Sequence, residues 1–207
     1  MRRLSFLALF LVGIPFRAAR PDIYVTSGTF FCGGLIYAGT CLAQGNMLTL
    51  TNGASTIFFT FTGLAGQATF DTNTGTPVVT PLGTIDEQTD ATNPLFPLTS
   101  NLNEPIFRFL LTLTLDGISR SWFAGAYQTP DGQTLNLEWT NHYIAFGGPG
   151  TITPVFTQNV DPVFTAHSAS VPLFADAVLV PEPSSLVLVA TGLALFGLAG
   201  MARSRKQ

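Results

Sequence analysis

The chain has 207 residues, of which 46% are hydrophobic and 10% charged, and its formal net charge is −3. Most of its basic residues lie near the two ends. Residues 21–179 hold eleven acidic residues against two basic ones, Arg108 and Arg120, a net charge of −9. Two cations cannot neutralise many phosphates, which argues against nucleic acid as a partner. This segment is long enough to bury one core, so one domain is predicted.

The first twenty residues have the pattern of an export signal. Two arginines at positions 2 and 3 precede an apolar run over residues 4–16, as in the basic and hydrophobic regions of a signal peptide. We therefore predict a signal peptide over residues 1–20, cleaved near Ala18 or Ala19. Arg17 is unfavourable beside such a site, so an uncleaved N-terminal anchor is the alternative.

Cys32 and Cys41, the two cysteines of the chain, lie close together near the start of the body. In an exported protein two such cysteines are expected to form a disulfide around a short, glycine-rich loop. Two buried thiols are the alternative. A zinc site is not predicted, because no histidine lies nearby to complete the ligand set.

The first half of the body shows one clear hairpin and two polar stretches. Leucine and threonine alternate over residues 48–51, the turn dipeptide Asn52-Gly53 follows, and residues 57–62 alternate again. This pattern predicts a hairpin with one buried face. Residues 71–81 are rich in Thr, Asn, Gly and Pro and are predicted to be a loop that can include one short strand. Residues 85–105 are polar, carry three prolines and are predicted to be a long loop or an edge.

The second half continues with strand and turn signals. Residues 106–115 show the strongest alternation and predict a strand. Asp116-Gly117 predicts a turn after it, and residues 118–127 are predicted to form the returning strand. Asp131-Gly132 predicts another turn, and residues 134–146 the strand after it.

The fold class follows from the repetition of these short segments. Two further apolar pieces lie at residues 151–156 and 171–179, and no window of the body keeps a helical period for three turns. We predict an all-β protein whose body, residues 21–179, is an antiparallel two-sheet sandwich or jelly roll. The 18 phenylalanines are expected to fill its inter-sheet core.

Four aromatic residues are candidates for sugar contact, since flat rings on an exposed β face can stack on carbohydrate. They are Trp122, Tyr127, Trp139 and Tyr143. Trp139 shares a strand face with Leu135 and Leu137, which favours a core position for it. A secreted carbohydrate-binding module, with exopolysaccharide as its ligand, is the alternative function that these residues suggest.

Catalytic motifs are absent from the sequence. There is no Gly-x-Ser-x-Gly elbow, phosphate loop or dinucleotide fingerprint. Glu104 and Glu138 could form a glycosidase-type pair, and His142 could serve a hydrolase, but an acidic surface supplies such groups by chance. We therefore predict no enzymatic activity, no catalytic residues, no cofactor and no metal site.

The C-terminal 28 residues form a separate unit, residues 180–207. An uncharged run over residues 186–202 is just long enough for a short transmembrane helix, about 25 Å as an α-helix. Arg203, Arg205 and Lys206 follow it directly, and act as a membrane stop. The positive-inside rule then places the C-terminus in the cytoplasm and the body outside.

The order of features in this unit resembles a known sorting signal. Pro181, Glu182 and Pro183, then a short apolar helix, then a basic end, are similar to the PEP-CTERM signal of Gram-negative envelope proteins. The resemblance implies processing by an exosortase, a transpeptidase-like membrane enzyme. It also implies that the membrane helix is removed and that the body reaches the cell surface or extracellular matrix.

A shorter resemblance concerns the body. Residues 82–85, with the sequence Leu-Gly-Thr-Ile, a polar stretch, and the strand at residues 107–115 resemble the choice-of-anchor extracellular β domains. Those domains occur joined to different sorting tails, so the resemblance implies the same exported location.

Overall fold

The described part of the computed structural model covers residues 22–33, 39–53, 55–70, 76–90, 104–130, 134–147, 152–158, 160–165 and 169–181. Within these ranges the chain forms thirteen β-strands and no helix, which confirms the all-β prediction. None of these residues belongs to a helix long and apolar enough to cross a bilayer. The predicted signal peptide and the predicted membrane span lie outside the described ranges.

The strands follow one another along the chain. They are β1 (Asp22–Cys32), β2 (Thr40–Gln44), β3 (Met47–Asn52), β4 (Ser55–Gly63), β5 (Ala65–Ala68), β6 (Val78–Thr89), β7 (Phe107–Leu115), β8 (Ile118–Gln128), β9 (Thr134–Trp139), β10 (Tyr143–Ala145), β11 (Ile152–Thr157), β12 (Val163–Thr165) and β13 (Ala169–Pro181).

These strands form a two-sheet sandwich in which every paired neighbour is antiparallel. One sheet has six strands in the order β12-β9-β8-β7-β1-β5, and the other has seven in the order β10-β11-β13-β6-β4-β3-β2. The predicted sandwich is therefore confirmed for the described residues. The last strand, β13, lies inside its sheet, between β11 and β6.

The two strongest predicted hairpins are present. β3 ends at Asn52, which pairs with Ser55 at the start of β4, and Gly53 in the turn between them has a φ of +61°. Asp116 and Gly117 connect β7 to β8 with φ values of 48° and 82°. Two consecutive left-handed residues are what a two-residue hairpin needs to match the strand twist, and the Asp-Gly dipeptide supplies them at low cost.

The prediction of a loop or edge over residues 85–105 was wrong at its start, whereas the short strand allowed within residues 71–81 is present at residues 78–81. Residues 78–89 form β6, which lies between β13 and β4. A proline, a glycine and a buried glutamate interrupt the apolar alternation, so the local pattern looks polar. Pairing on both sides makes the segment a strand nonetheless.

The predicted strand over residues 134–146 is two strands in different sheets. β9 belongs to the six-stranded sheet and β10 to the seven-stranded sheet. Hydrogen bonds to Phe123 hold the crossing: its carbonyl accepts from Thr140 N at 2.8 Å, and its N–H donates to Asn141 Oδ1 at 2.9 Å. These bonds end β9 and redirect the chain.

Phenylalanines occupy much of the space between the sheets, as predicted. Phe59 of the seven-stranded sheet contacts Phe107 and Phe164 of the six-stranded sheet, with ring centroids 5.0 and 5.6 Å apart. Phe61 and Phe109 make a similar contact across the interface at 5.4 Å. Burying rings of this size supplies a large share of the hydrophobic free energy that holds the sheets together.

Candidate functional site

Cys32 and Cys41 form a disulfide, as predicted, with Cα atoms 5.8 Å apart. Cys32 ends β1 in the six-stranded sheet, and Cys41 lies in β2, the outermost strand of the seven-stranded sheet. The bond therefore joins the two sheets and ties down an edge strand. A nearby backbone bond, from Phe30 N to the Gly45 carbonyl at 2.8 Å, fastens the same corner.

The two tryptophans proposed for sugar contact lie in the core. Trp122 is 0% exposed and Trp139 is 5% exposed. Both indole nitrogens are buried, and neither has a hydrogen-bond partner among the residues that the structure describes. Neither ring offers a face to solvent on which a sugar could stack. The core position expected for Trp139 from its strand face is confirmed.

The two tyrosines reach the surface, but on different sheets. Tyr143 is 69% exposed and lies on β10, an edge strand of the seven-stranded sheet. Tyr127 is half-buried and lies on β8, inside the six-stranded sheet. The four aromatics named from the sequence therefore do not form one surface.

Tyr127 belongs to a compact group on the outer face of the six-stranded sheet. Arg108 on β7 and Glu138 on β9 both pair in register with Gly125 on β8, one from each side. Gly125 has no side chain, and the Tyr127 ring fills the space: a Cβ on Gly125 would lie 2.8 Å from Tyr127 Cε2. We call Arg108, Gly125, Tyr127 and Glu138 the Tyr127 platform.

Polar side chains surround this platform. Asn136 pairs in register with Tyr127. Farther along the same face, Thr112 and Ser121 share a hydrogen bond of 2.9 Å, and Thr114 and Ser119 one of 2.8 Å. The outer face of the six-stranded sheet is therefore rich in groups that both donate and accept hydrogen bonds.

The two basic residues of the body have different surroundings. Arg120 donates from Nε to the Ala145 carbonyl at 3.2 Å and so connects β8 to β10 in the other sheet. Arg108 is exposed, and within the described part of the chain it makes no ion pair or hydrogen bond. Arg108 is thus the body cation that is available to a ligand.

The sequence contained signals for this platform that the prediction did not use. Arg108 stands between Phe107 and Phe109, an alternation that places a cation on the outer face of a strand. A glycine inside a strand, such as Gly125, often marks a close approach of another group. The pairing of Arg108 and Glu138 across Gly125, however, required the register of three strands.

A second surface feature is an open groove of about 580 Å³ between β13 and the segment that joins β11 to β12. Val160 and Phe174 line it and are largely exposed, and the buried Gln158 side chain has no partner for its Nε2 among the described residues. Asp161 and Asp176 also line the groove, without a histidine, lysine or arginine. The groove is mainly apolar, and its lining contains no basic side chain that could act together with either aspartate.

A carboxyl group inside the core was not predicted at all. Glu87 on β6 is 1% exposed, and both of its oxygens lack a hydrogen-bond partner among the described residues. Burial raises the pKa of the Glu87 carboxyl from its ordinary 4.5 to about 8. A carboxyl with this pKa is protonated at neutral pH, which avoids an unpaired charge in the core.

The other residues considered for catalysis lie at exposed or half-buried positions. Glu138 is exposed on β9, Glu104 precedes β7, and His142 is exposed between β9 and β10. None of the three lines the groove beside β13. Over the ranges that the structure describes, no three His, Cys, Asp or Glu side chains form a group suited to a metal ion.

The predicted sorting motif begins at the last described residue. Pro181 is the last residue of β13 and pairs with Ile152 on β11. Glu182 and Pro183 lie outside the described residues, and so do the predicted stop residues Arg203, Arg205 and Lys206.

No family model, curated protein or solved structure matches this chain.

Proposed function

We propose that the chain is a non-enzymatic, exported β-sandwich protein of the cell envelope or extracellular matrix, sorted by its C-terminal unit. An exosortase-type membrane transpeptidase recognises Pro181, Glu182 and Pro183 after the body has crossed the membrane. The apolar run over residues 186–202 holds the chain in the membrane until that step. The choice-of-anchor resemblance of the body belongs to the same proposal.

The observation that carries the proposal is the order of features at the C-terminus. Pro-Glu-Pro, an uncharged run and a basic end follow one another directly. The last described strand of the sandwich reaches Pro181, the first residue of the motif. Removal of the residues after Pro183 would leave all thirteen described strands in place.

The disulfide supports an exported location. Disulfides persist in oxidising compartments and are rare in the reducing cytosol. The Cys32–Cys41 disulfide joins the two sheets at an edge strand, and it stabilises the fold there only while it stays oxidised. A body with a net charge of −9 is also suited to an aqueous exterior.

The test is mass spectrometry of the mature C-terminus in a host that has an exosortase. We expect the wild-type chain to lack residues 203–207, and a Glu182→Ala/Pro183→Ala variant to retain them. Ser184→Ala/Ser185→Ala is the matched control beside the motif and should be processed normally. An intact basic end in the mature wild-type protein would overturn the proposal.

A further inference from the structure

We infer that the Tyr127 platform binds a neutral polysaccharide, with Tyr127 as the stacking ring and Arg108 and Glu138 as hydrogen-bonding groups on either side. This inference goes beyond the proposed sorting function and holds whether or not the C-terminus is processed. It also replaces the four-aromatic surface suggested by the sequence, because both tryptophans are buried.

The platform is shaped before any ligand arrives. Tyr127 Cε2 and Cζ lie 2.8 and 3.1 Å from the position of a Cβ on Gly125, and Pro105 Cβ lies 3.1 Å from it. Gly125 is accordingly buried although it is on the outer face. The Tyr127 ring therefore packs over the Gly125 backbone, and a ring held in this way loses little freedom on binding, which favours affinity.

The two charged groups flank the ring. Arg108 and Glu138 lie on strands that are both hydrogen-bonded to β8, so their backbones are two strand spacings apart, about 10 Å. Both side chains are exposed, and within the described ranges neither has an ion-pair partner. A sugar ring on Tyr127 would therefore meet a guanidinium donor on one side and a carboxylate acceptor on the other.

The charge of the body favours the binding of a neutral polysaccharide over that of an acidic one. The platform carries one positive and one negative group, which cancel, and the body has a net charge of −9. A polyanion would be repelled by the body at low salt. A neutral, hydroxyl-rich chain has no such penalty, and its hydroxyl groups match the donors and acceptors of Arg108, Glu138 and Asn136.

Binding is tested with the purified full-length chain in a detergent without a sugar headgroup. The probes are dextran, galactomannan and a β-1,3-glucan, with alginate as the polyanionic comparison, in affinity electrophoresis and titration. We expect at least one neutral probe to bind, with a Kd that varies little with salt. Arg108→Ala and Glu138→Ala should each weaken binding about tenfold or more, the usual effect of losing a charged hydrogen bond. Tyr127→Ala should also weaken binding, because it removes the ring on which the sugar stacks.

Tyr143→Ala is the matched control, since it removes a more exposed tyrosine from the other sheet. It should leave the Kd unchanged. Arg108 and Glu138 are exposed, so their variants keep the test decisive if Tyr127→Ala does not fold. Three results would overturn the inference: no neutral probe binds, only alginate binds, or the platform variants bind as well as the wild type. Self-association abolished by Tyr127→Ala, without glycan binding, would also overturn it.

Discussion

Glu87 on β6 lies directly opposite Phe59 on β4, on the face that both strands turn toward the other sheet. Phe59 itself contacts Phe107 and Phe164 of the facing sheet. A titratable group thus shares the core with aromatic rings, and the fold stability depends on whether that group carries a charge.

Stability should decrease as the pH rises through the neutral range. Burial raises the pKa of Glu87 from 4.5 to about 8, so the folded protein retains a proton that the unfolded chain releases. The contribution of Glu87 to the free energy of unfolding is then highest below about pH 4.5, and it falls by at most about 1.4 kcal/mol per pH unit up to about pH 8. Thermal unfolding of the wild type at a series of pH values measures this.

Glu87→Gln should remove that part of the pH dependence and raise the Tm at pH 8 relative to the wild type. The variant keeps the shape of the side chain and cannot ionise. Asp86→Asn is the matched control, because Asp86 is the neighbouring acid on the outward face of β6. Parallel wild-type and Glu87→Gln profiles would show that Glu87 is not the responsible group.

Replacing both cysteines by serine should lower the free energy of unfolding by about 2.5 kcal/mol. The chain-entropy model gives this value for a loop with a sequence separation of 9. Urea unfolding measures the loss, and hydrogen exchange should increase first in β2, the edge strand that the bond holds. Reduced wild-type protein is the control and should match the variant; equal stability of oxidised and reduced protein would contradict the prediction.

A chain that ends at Pro183 should unfold with the same midpoint as the full-length chain, because every described strand is retained. A chain that ends at Ser168 should not fold, since it lacks β13. That strand pairs with β11 on one side and β6 on the other. Circular dichroism and thermal unfolding of the two truncated chains distinguish these outcomes. A cooperative transition in the shorter chain would contradict the central role of β13.

Gly83→Ala should be strongly destabilising, by about 3 kcal/mol or more. Gly83 has a φ of 133°, which side chains rarely adopt, and an added Cβ would overlap the Thr62 carbonyl oxygen. Gly53→Ala is the control: Gly53 also has a positive φ, but the space around it is open, so about 1 kcal/mol is expected. Equal effects of the two substitutions in urea unfolding would contradict the proposed clash.

The native tryptophan emission should be blue-shifted and resist quenching by iodide, because both indole rings are buried. Binding of a polysaccharide at the Tyr127 platform should leave this emission unchanged. Steady-state fluorescence with and without the neutral glycan measures both effects. Strong iodide quenching in the native state would mean that Trp122 or Trp139 reaches the surface.

The sequence was sufficient wherever the determining interactions are local. Alternating residues in β3 and β4, and the Asn52-Gly53 and Asp116-Gly117 turns, depend on neighbours along the chain, and each predicted hairpin is present. The proximity of Cys32 and Cys41 similarly made their disulfide predictable. Side-chain period and turn chemistry carry this information without any knowledge of the partner sheet.

Only the tertiary structure decided what depends on strand order and register. Local polarity hid β6 and its buried Glu87, and nothing along residues 134–146 marked the transfer of the chain from one sheet to the other. Arg108, Tyr127 and Glu138 likewise come together around Gly125 because β7, β8 and β9 pair in this register. Pairing between strands that are distant in sequence is set by the packing of the whole core, so a strand's own residues do not specify which side chains will lie beside it.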